Sequence, residues 1–159
     1  MGHVGTGTWQ LRGGTGIKHW QGAGDAAWTA PLRFPCKENA DKPDRVVLGV
    51  WGHSGFDSAQ EWAGELKKAI ATIRLKRPSA RLIVIQPAAG GPGCKSGYAS
   101  GDLLPILAAA KMIEGNGVLP GAEIKVDSCS QLSNWSDDLS PEAARKVAET
   151  LGQFYKPLP

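Results

Sequence analysis

Two short, unbroken apolar runs constrain the fold of this chain more than any other feature. VVLGVW occupies residues 46 to 51, and RLIVIQP occupies residues 81 to 87. A continuous apolar run of this length, instead of an alternating one, is typical of a parallel strand that is buried on both faces of a sheet. AEIKVD, at residues 122 to 127, indicates a third strand. The sequence therefore predicts that residues 46–51, 82–86 and 123–127 form adjacent parallel strands.

The segments that separate these runs have helical periodicity. Ser58 and Glu61 have the S-x-x-E spacing of a capping box. The apolar residues that follow recur at helical intervals: Trp62, Leu66, Ile70 and Ile73. This pattern predicts a helix over residues 58–76.

Two further helices are expected. LLPILAAAKMI predicts one, and SPEAARKVAETLGQFY predicts a closing helix with Ser140 as its N-cap and Pro141 at a position where proline is tolerated.

The strict alternation of strands and helices predicts an α/β fold: a three-layer α/β/α sandwich with a mostly parallel, flavodoxin-like sheet. One domain is expected over residues 1–159, with residues 1–44, rich in Gly, Trp and Pro, irregular. Any ligand site is expected where the strands end, at residues 52–57, 87–98 and 127–140.

The composition and charge of the chain limit which partners and cofactors are expected. The formal net charge of +3 is spread along the chain, so a nucleic-acid surface is not expected. No apolar run is long enough for a membrane span, and no signal peptide is expected, because MGHVGTGTWQ lacks the charged-then-apolar order of a secretory signal. The three cysteines have no zinc spacing, so neither a metal nor a cofactor is expected. Cys94 and Cys129 both follow predicted strands and would pair only if the protein were exported, which leaves the localisation open.

The sequence GHSGF, at residues 52 to 56, indicates a nucleophile elbow of the G-x-S-x-G type. Phe56 occupies the place of the final glycine, however. The α/β-hydrolases also need a histidine after the nucleophile, and no histidine follows Ser54. The elbow interpretation is therefore disfavoured.

A different resemblance covers residues 42 to 151. KPDRVVLGVWGHSG, IRLKRPSARLIVIQP, EIKVDSCS and SDDLSPEAARKVAETL together resemble the SGNH (GDSL-type) hydrolase family from its third conserved block to its end. The third block would be Gly52-His53-Ser54-Gly55, and the last would be Asp137-Asp138-Leu139-Ser140-Pro141. LRGGTGI would be the second block, with Gly14 or Gly16 as an oxyanion donor.

The resemblance implies an esterase of the SGNH fold, although several signature residues differ. The GDS motif of the first block does not occur, so the family's first strand is missing or reduced. Ser54 replaces the oxyanion-hole asparagine, and Ser140 replaces the general-base histidine of D-x-x-H. A rebuilt site would join His53, Ser54 and Asp137, with Gly14, Gly52 and Ser54 on the oxyanion side.

Three functions are compatible with the sequence. The first is a serine ester hydrolase with a non-standard site, acting on a small-molecule or glycan ester. The second is a non-catalytic SGNH-like domain that binds a glycan or a protein partner. The third is a fragment whose nucleophile lies outside this chain. Each candidate residue also has a structural explanation, since Ser140 is accounted for as a helix cap and Ser54 as a turn residue. The oligomeric state is left open.

Overall fold

A parallel three-stranded sheet, in the order β1-β2-β3, forms the centre of the fold. The computed structural model describes residues 16–29, 42–50, 56, 58–87, 103–125 and 139–158. The strands are β1 (Arg45–Val50), β2 (Leu82–Pro87) and β3 (Val118–Pro120). The helices are α1 (Ala26–Thr29), α2 (Ala59–Lys76), α3 (Leu103–Met112) and α4 (Pro141–Tyr155), with a 3₁₀ turn at Ile17–Trp20. The α/β class and the parallel sheet are thereby confirmed.

The predicted helix α2 begins and ends where the sequence indicates. Its capping box is formed: the Ser58 hydroxyl accepts from the Glu61 N–H at 3.2 Å, and the Glu61 carboxylate accepts from the Ser58 N–H at 3.1 Å. The four apolar positions of its stripe are all buried: Trp62, Leu66, Ile70 and Ile73. Local hydrogen bonding at the start and burial along one face thus account for this helix.

Both α2 and α3 pack on the same face of the sheet. Strand residues alternate between the two faces, and the core cluster contains Leu48 and Val50, Ile83 and Ile85, and Val118 from one face together with residues of α2 and α3. We call this the core face. The strand order explains the arrangement, because right-handed crossovers between successive strands that continue in one direction place their helices on one side.

The other face of the sheet, which we call the far face, is covered unevenly. It carries Val47 and Gly49 on β1, and Val84 and Gln86 on β2. The β2 residues are buried, but Val47 is 38 % exposed and Gly49 is exposed. The far face therefore remains open along β1, although VVLGVW has the composition of a strand covered on both faces.

The third described strand lies earlier in the chain than the one predicted over residues 123–127. It is Val118–Pro120, whereas residues 121–124 are not in a strand; Lys125 is in a single bridge position, and residues 126 and 127 lie outside the described residues. Backbone pairing with β2 continues only to Gly121, whose N–H donates to the Ile85 carbonyl at 2.8 Å. Pro87 has no N–H to extend the ladder, which explains why β3 ends before the predicted strand begins.

Candidate functional site

The carboxyl ends of β1 and β2 coincide. Val50 and Pro87 are paired in the parallel register, so the chain leaves both strands at neighbouring points of one edge. We call this the carboxyl edge. Because successive Cα atoms are about 3.8 Å apart, three residues carry His53 no farther than about 11 Å from Val50. Parallel α/β sheets bind their ligands at such edges.

Most of the predicted site residues lie outside the described residues: Gly14, Gly52, His53, Ser54 and Asp137. The same holds for Cys94 and Cys129. Ser140 is described, and its predicted role as an N-cap is confirmed. Its hydroxyl oxygen accepts from the Ala143 N–H at 3.3 Å, and Pro141 follows as the first helical residue. A role of Ser140 in catalysis stays a prediction.

Ser140 lies at the start of α4, whereas the end of this helix contacts the end of β2. Tyr155, the last residue of α4, donates its hydroxyl to Gln86 Oε1 at 3.0 Å. At 1.5 Å per residue, the helix axis separates Ser140 from Tyr155 by about 22 Å. Among the described residues, the contact of α4 with the carboxyl edge is made by Tyr155, at the end of the helix.

Gln86 is the centre of a buried polar cluster at the end of β2. Its amide nitrogen donates to the carbonyls of Ala122 (2.9 Å) and Pro87 (3.0 Å). Its amide oxygen accepts from the Ala122 N–H at 3.1 Å and from Tyr155. Every donor and acceptor of the side chain is used, as burial requires. We call Gln86, Ala122 and Tyr155 the Gln86 clamp. It joins β2, the segment after β3, and α4.

Burial raises the pKa of Tyr155 above its ordinary value of about 10. The phenol therefore remains neutral and keeps its hydrogen to donate. Neither Gln86 nor Tyr155 was singled out from the sequence. A polar residue that ends an otherwise apolar strand was the available signal for Gln86, since buried amides need specific partners. Tyr155 carried no comparable signal.

An aromatic cluster borders the same edge on the core face, at the start of α2. The rings of Phe56 and Trp62 are in edge-to-face contact with centroids 5.1 Å apart, and Lys18 Nζ lies 5.3 Å from the Phe56 centroid. Trp62, one of the apolar residues that recur at helical intervals in the sequence, is fully buried. Its indole N–H has no hydrogen-bond partner among the residues that the structure describes, which is unusual for a buried donor.

Residues 16–29 are attached to the outer side of α2. Gln21 Nε2 donates to the Glu65 carboxylate at 2.5 Å, and the Thr72 hydroxyl donates to the Gln21 carbonyl. The hydrogen bonds from Lys68, first, and from Gln21 lower the pKa of Glu65. These contacts attach residues 16–29 to α2, and Lys18 of the same segment lies beside Phe56.

Within the described ranges, no group of three His, Cys, Asp or Glu side chains is arranged to hold a metal ion. Among the same residues, no helix is both long and apolar enough to cross a membrane. Comparison with protein-family models, with curated proteins and with solved structures finds no match. The likeness to SGNH hydrolases therefore depends on the sequence blocks alone.

Proposed function

We propose that this chain is a divergent ester hydrolase of SGNH type, with its reaction site at the carboxyl edge. The observation that supports this proposal best is the paired register of Val50 and Pro87. It makes the segment that contains His53 and Ser54 begin beside the Gly-rich segment after β2. The parallel order β1-β2-β3 is also the arrangement expected for successive strands on one side of a flavodoxin-like sheet.

The chemistry follows from the residue types. An acyl transfer needs a hydroxyl nucleophile, a base to accept its proton, and donors for the oxyanion that forms on the ester carbonyl. His53 is the proposed base and Asp137 the carboxylate that orients it. Gly52 and Gly14 would donate backbone N–H groups to the oxyanion, and Ser54 would donate its hydroxyl. A serine hydroxyl other than that of Ser54 attacks the ester carbonyl while His53 accepts its proton. The alcohol then leaves with that proton, and water hydrolyses the acyl enzyme.

The hydrogen bond to Ala143 supports a structural role for Ser140, as the cap of α4. If it is only a cap, Ser140→Ala lowers the free energy of unfolding by about 1 kcal/mol and leaves ester hydrolysis unchanged. Ser140→His restores the histidine of the family's last block. A gain of hydrolysis in that variant would indicate that the cleft still holds a nucleophile, whereas no gain would fit a missing first block.

A second candidate function is glycan binding without catalysis. The half-buried ring of Phe56 favours it, because Phe56 lies next to the carboxyl edge, in contact with the buried Trp62 and with Lys18 beside it. An aromatic side chain with an adjacent polar group suits the stacking of a sugar ring.

The two functions are separated by hydrolysis of a short-chain nitrophenyl ester and by covalent labelling with a fluorophosphonate. For the hydrolase, we expect wild type to hydrolyse the ester and to label at a serine other than Ser54. His53→Ala should abolish turnover, whereas Ser54→Ala should lower it by about 10²–10³, the loss typical of one oxyanion donor. His19→Ala is the matched control, since His19 is an exposed residue of the 3₁₀ turn.

Labelling at Ser54 itself would instead make Ser54 the nucleophile and restore the elbow interpretation. If wild type neither hydrolyses the ester nor labels, the hydrolase proposal fails. Glycan binding is then tested by titrating the intrinsic tryptophan fluorescence with neutral oligosaccharides. Phe56→Ala is expected to weaken that binding and Leu75→Ala to leave it unchanged, because Leu75 is exposed near the far end of α2.

A further inference from the structure

A shallow groove of about 200 Å³ lies at the amino-terminal edge of the sheet, opposite the carboxyl edge. One wall is a single face of α2, formed by Lys67, Ile70, Ala71 and Arg74 at positions i, i+3, i+4 and i+7. The other wall is formed by residues from 113 to 118, where the chain turns from α3 into β3. We call this the α2 groove.

The floor of the α2 groove is apolar. Ile70 and Val118 belong to the buried core, and Ile113 packs against that core from the second wall. Ala71 is exposed, so its small side chain leaves the groove open above Ile70. A single apolar side chain from another molecule would complete this surface and be removed from water.

The rim of the α2 groove is cationic. Lys67 and Arg74 lie two helical turns apart, or about 10 Å along the axis. Neither forms an ion pair within the described residues. Arg74 Nη2 donates to the Asn116 carbonyl at 2.7 Å, which fixes the guanidinium and leaves its other donors available. The pattern is therefore two positive charges on either side of an apolar floor.

The position of Arg74 depends on the turn that forms the second wall. Asn116 and Gly117 both have positive φ, 50° and 80°, and the Val118 N–H donates to the Gly115 carbonyl at 2.9 Å. This is a type I′ turn, whose conformation asparagine and glycine adopt readily. The wall that holds the guanidinium is thus a defined structure.

Size, charge and lining select the kind of ligand. The groove is smaller and more open than the clefts of about 300–1,000 Å³ that enclose small molecules. None of the described residues that line it is aromatic, so they do not provide the stacking surface of a single-stranded nucleic-acid site. We propose that the α2 groove binds an acidic helical segment of a partner protein, which inserts one apolar side chain between carboxylates that pair with Lys67 and Arg74.

The probe is a fluorescein-labelled, alanine-based helical peptide of about 16 residues. It carries glutamate at positions i and i+7 and leucine at i+3, so that its charges match the spacing of Lys67 and Arg74. One control peptide replaces both glutamates by glutamine, and a second replaces leucine by serine. Binding to the full chain is measured by fluorescence anisotropy in low salt.

We expect the acidic peptide to bind, and both control peptides to bind at least about tenfold more weakly, which corresponds to about 1.4 kcal/mol. Lys67→Glu and Ala71→Gln should cause a similar loss, the first by reversing a rim charge and the second by filling the groove. Both positions are exposed on a helix, so both variants should fold. Lys156→Glu makes the same charge change at the end of α4 and should leave the affinity unchanged.

Three results would overturn the proposal. One is the absence of binding at millimolar peptide. Another is equal affinity for the glutamine peptide. The last is equal affinity of wild type and Ala71→Gln, because a peptide held only by diffuse charge would not respond to a filled groove. Displacement of the peptide by a single-stranded DNA oligonucleotide, with no effect of Ala71→Gln, would identify a nucleic-acid surface instead.

Discussion

Replacing Gln86 by leucine tests whether the Gln86 clamp holds α4 to the sheet. Leucine has a similar size but no amide, so the variant leaves the N–H and the carbonyl of Ala122 without partners. Ala122 is buried, and each orphaned buried group costs about 1–3 kcal/mol. Part of this loss is offset because an apolar side chain is easier to bury. We expect Gln86→Leu to lower the free energy of unfolding by about 3 kcal/mol.

Tyr155→Phe removes only one bond of the clamp, since Gln86 Oε1 still accepts from the Ala122 N–H. We expect a loss of about 1 kcal/mol in this variant, the usual contribution of a single hydrogen bond. In the Gln86→Leu background the tyrosine has already lost its partner. Tyr155→Phe should then cost nearly nothing, and the double-mutant cycle should give a coupling of about 1 kcal/mol.

Urea unfolding followed by tryptophan fluorescence measures these values. Gln153→Leu is the matched control, since Gln153 is an exposed glutamine of α4. The clamp is refuted if Gln86→Leu costs less than about 1 kcal/mol, or if Tyr155→Phe costs the same in both backgrounds.

Four further predictions concern stability. Gly64→Ala should raise the free energy of unfolding by about 0.5–1 kcal/mol, because Gly64 is a helical position with open space at Cβ. Gly117→Ala should lower the free energy of unfolding by more than about 2 kcal/mol, because Gly117 has a φ of 80° and an added Cβ would overlap the Arg81 carbonyl. Because the pKa of Glu65 is lowered, its ionised carboxylate stabilises the folded state at pH values above its ordinary pKa of about 4.5. Wild type should lose this contribution as the pH falls below about 4.5, so Glu65→Gln should show a smaller acid loss than wild type in urea titrations at each pH. Because burial raises the pKa of Tyr155, the free energy of unfolding should fall as the pH rises above about 10, the ordinary pKa of tyrosine. Below pH 10 the phenol is neutral in both the folded and the unfolded state, so it causes no such loss there. Tyr155→Phe should remove this part of the alkaline loss.

The elements that depend on neighbouring residues could be predicted from the sequence. The capping box at Ser58 and the stripe that follows predict α2 to within one residue, because a helix is built from contacts three and four residues apart. Ser140 and Pro141 predict the start of α4 for the same reason. The two apolar runs likewise predict β1 and β2.

The elements that depend on distant contacts could not be predicted in this way. AEIKVD has the better strand composition, yet VLP forms β3, because Ile83 and Val84 pair with Val118 and Leu119. The type I′ turn at residues 116 and 117 was the local sign of a strand start. In the Gln86 clamp, Gln86 and Tyr155 are 69 residues apart, and no periodicity links them.

The strand order narrows the position of the proposed reaction site. In open α/β sheets, the ligand crevice forms where neighbouring connections pass to opposite faces. The connections β1-α2-β2 and β2-α3-β3 both pass over the core face, so no crevice of this kind lies between the three described strands. The two outer sides of the described sheet remain, beside β1 and beside β3, and on the β1 side Val47 and Gly49 leave the far face open. A strand added there with its connection over the far face would create the crevice directly beside the end of β1. His53 and Ser54 follow that end within four residues, which favours them over Ser140 as the centre of the proposed chemistry.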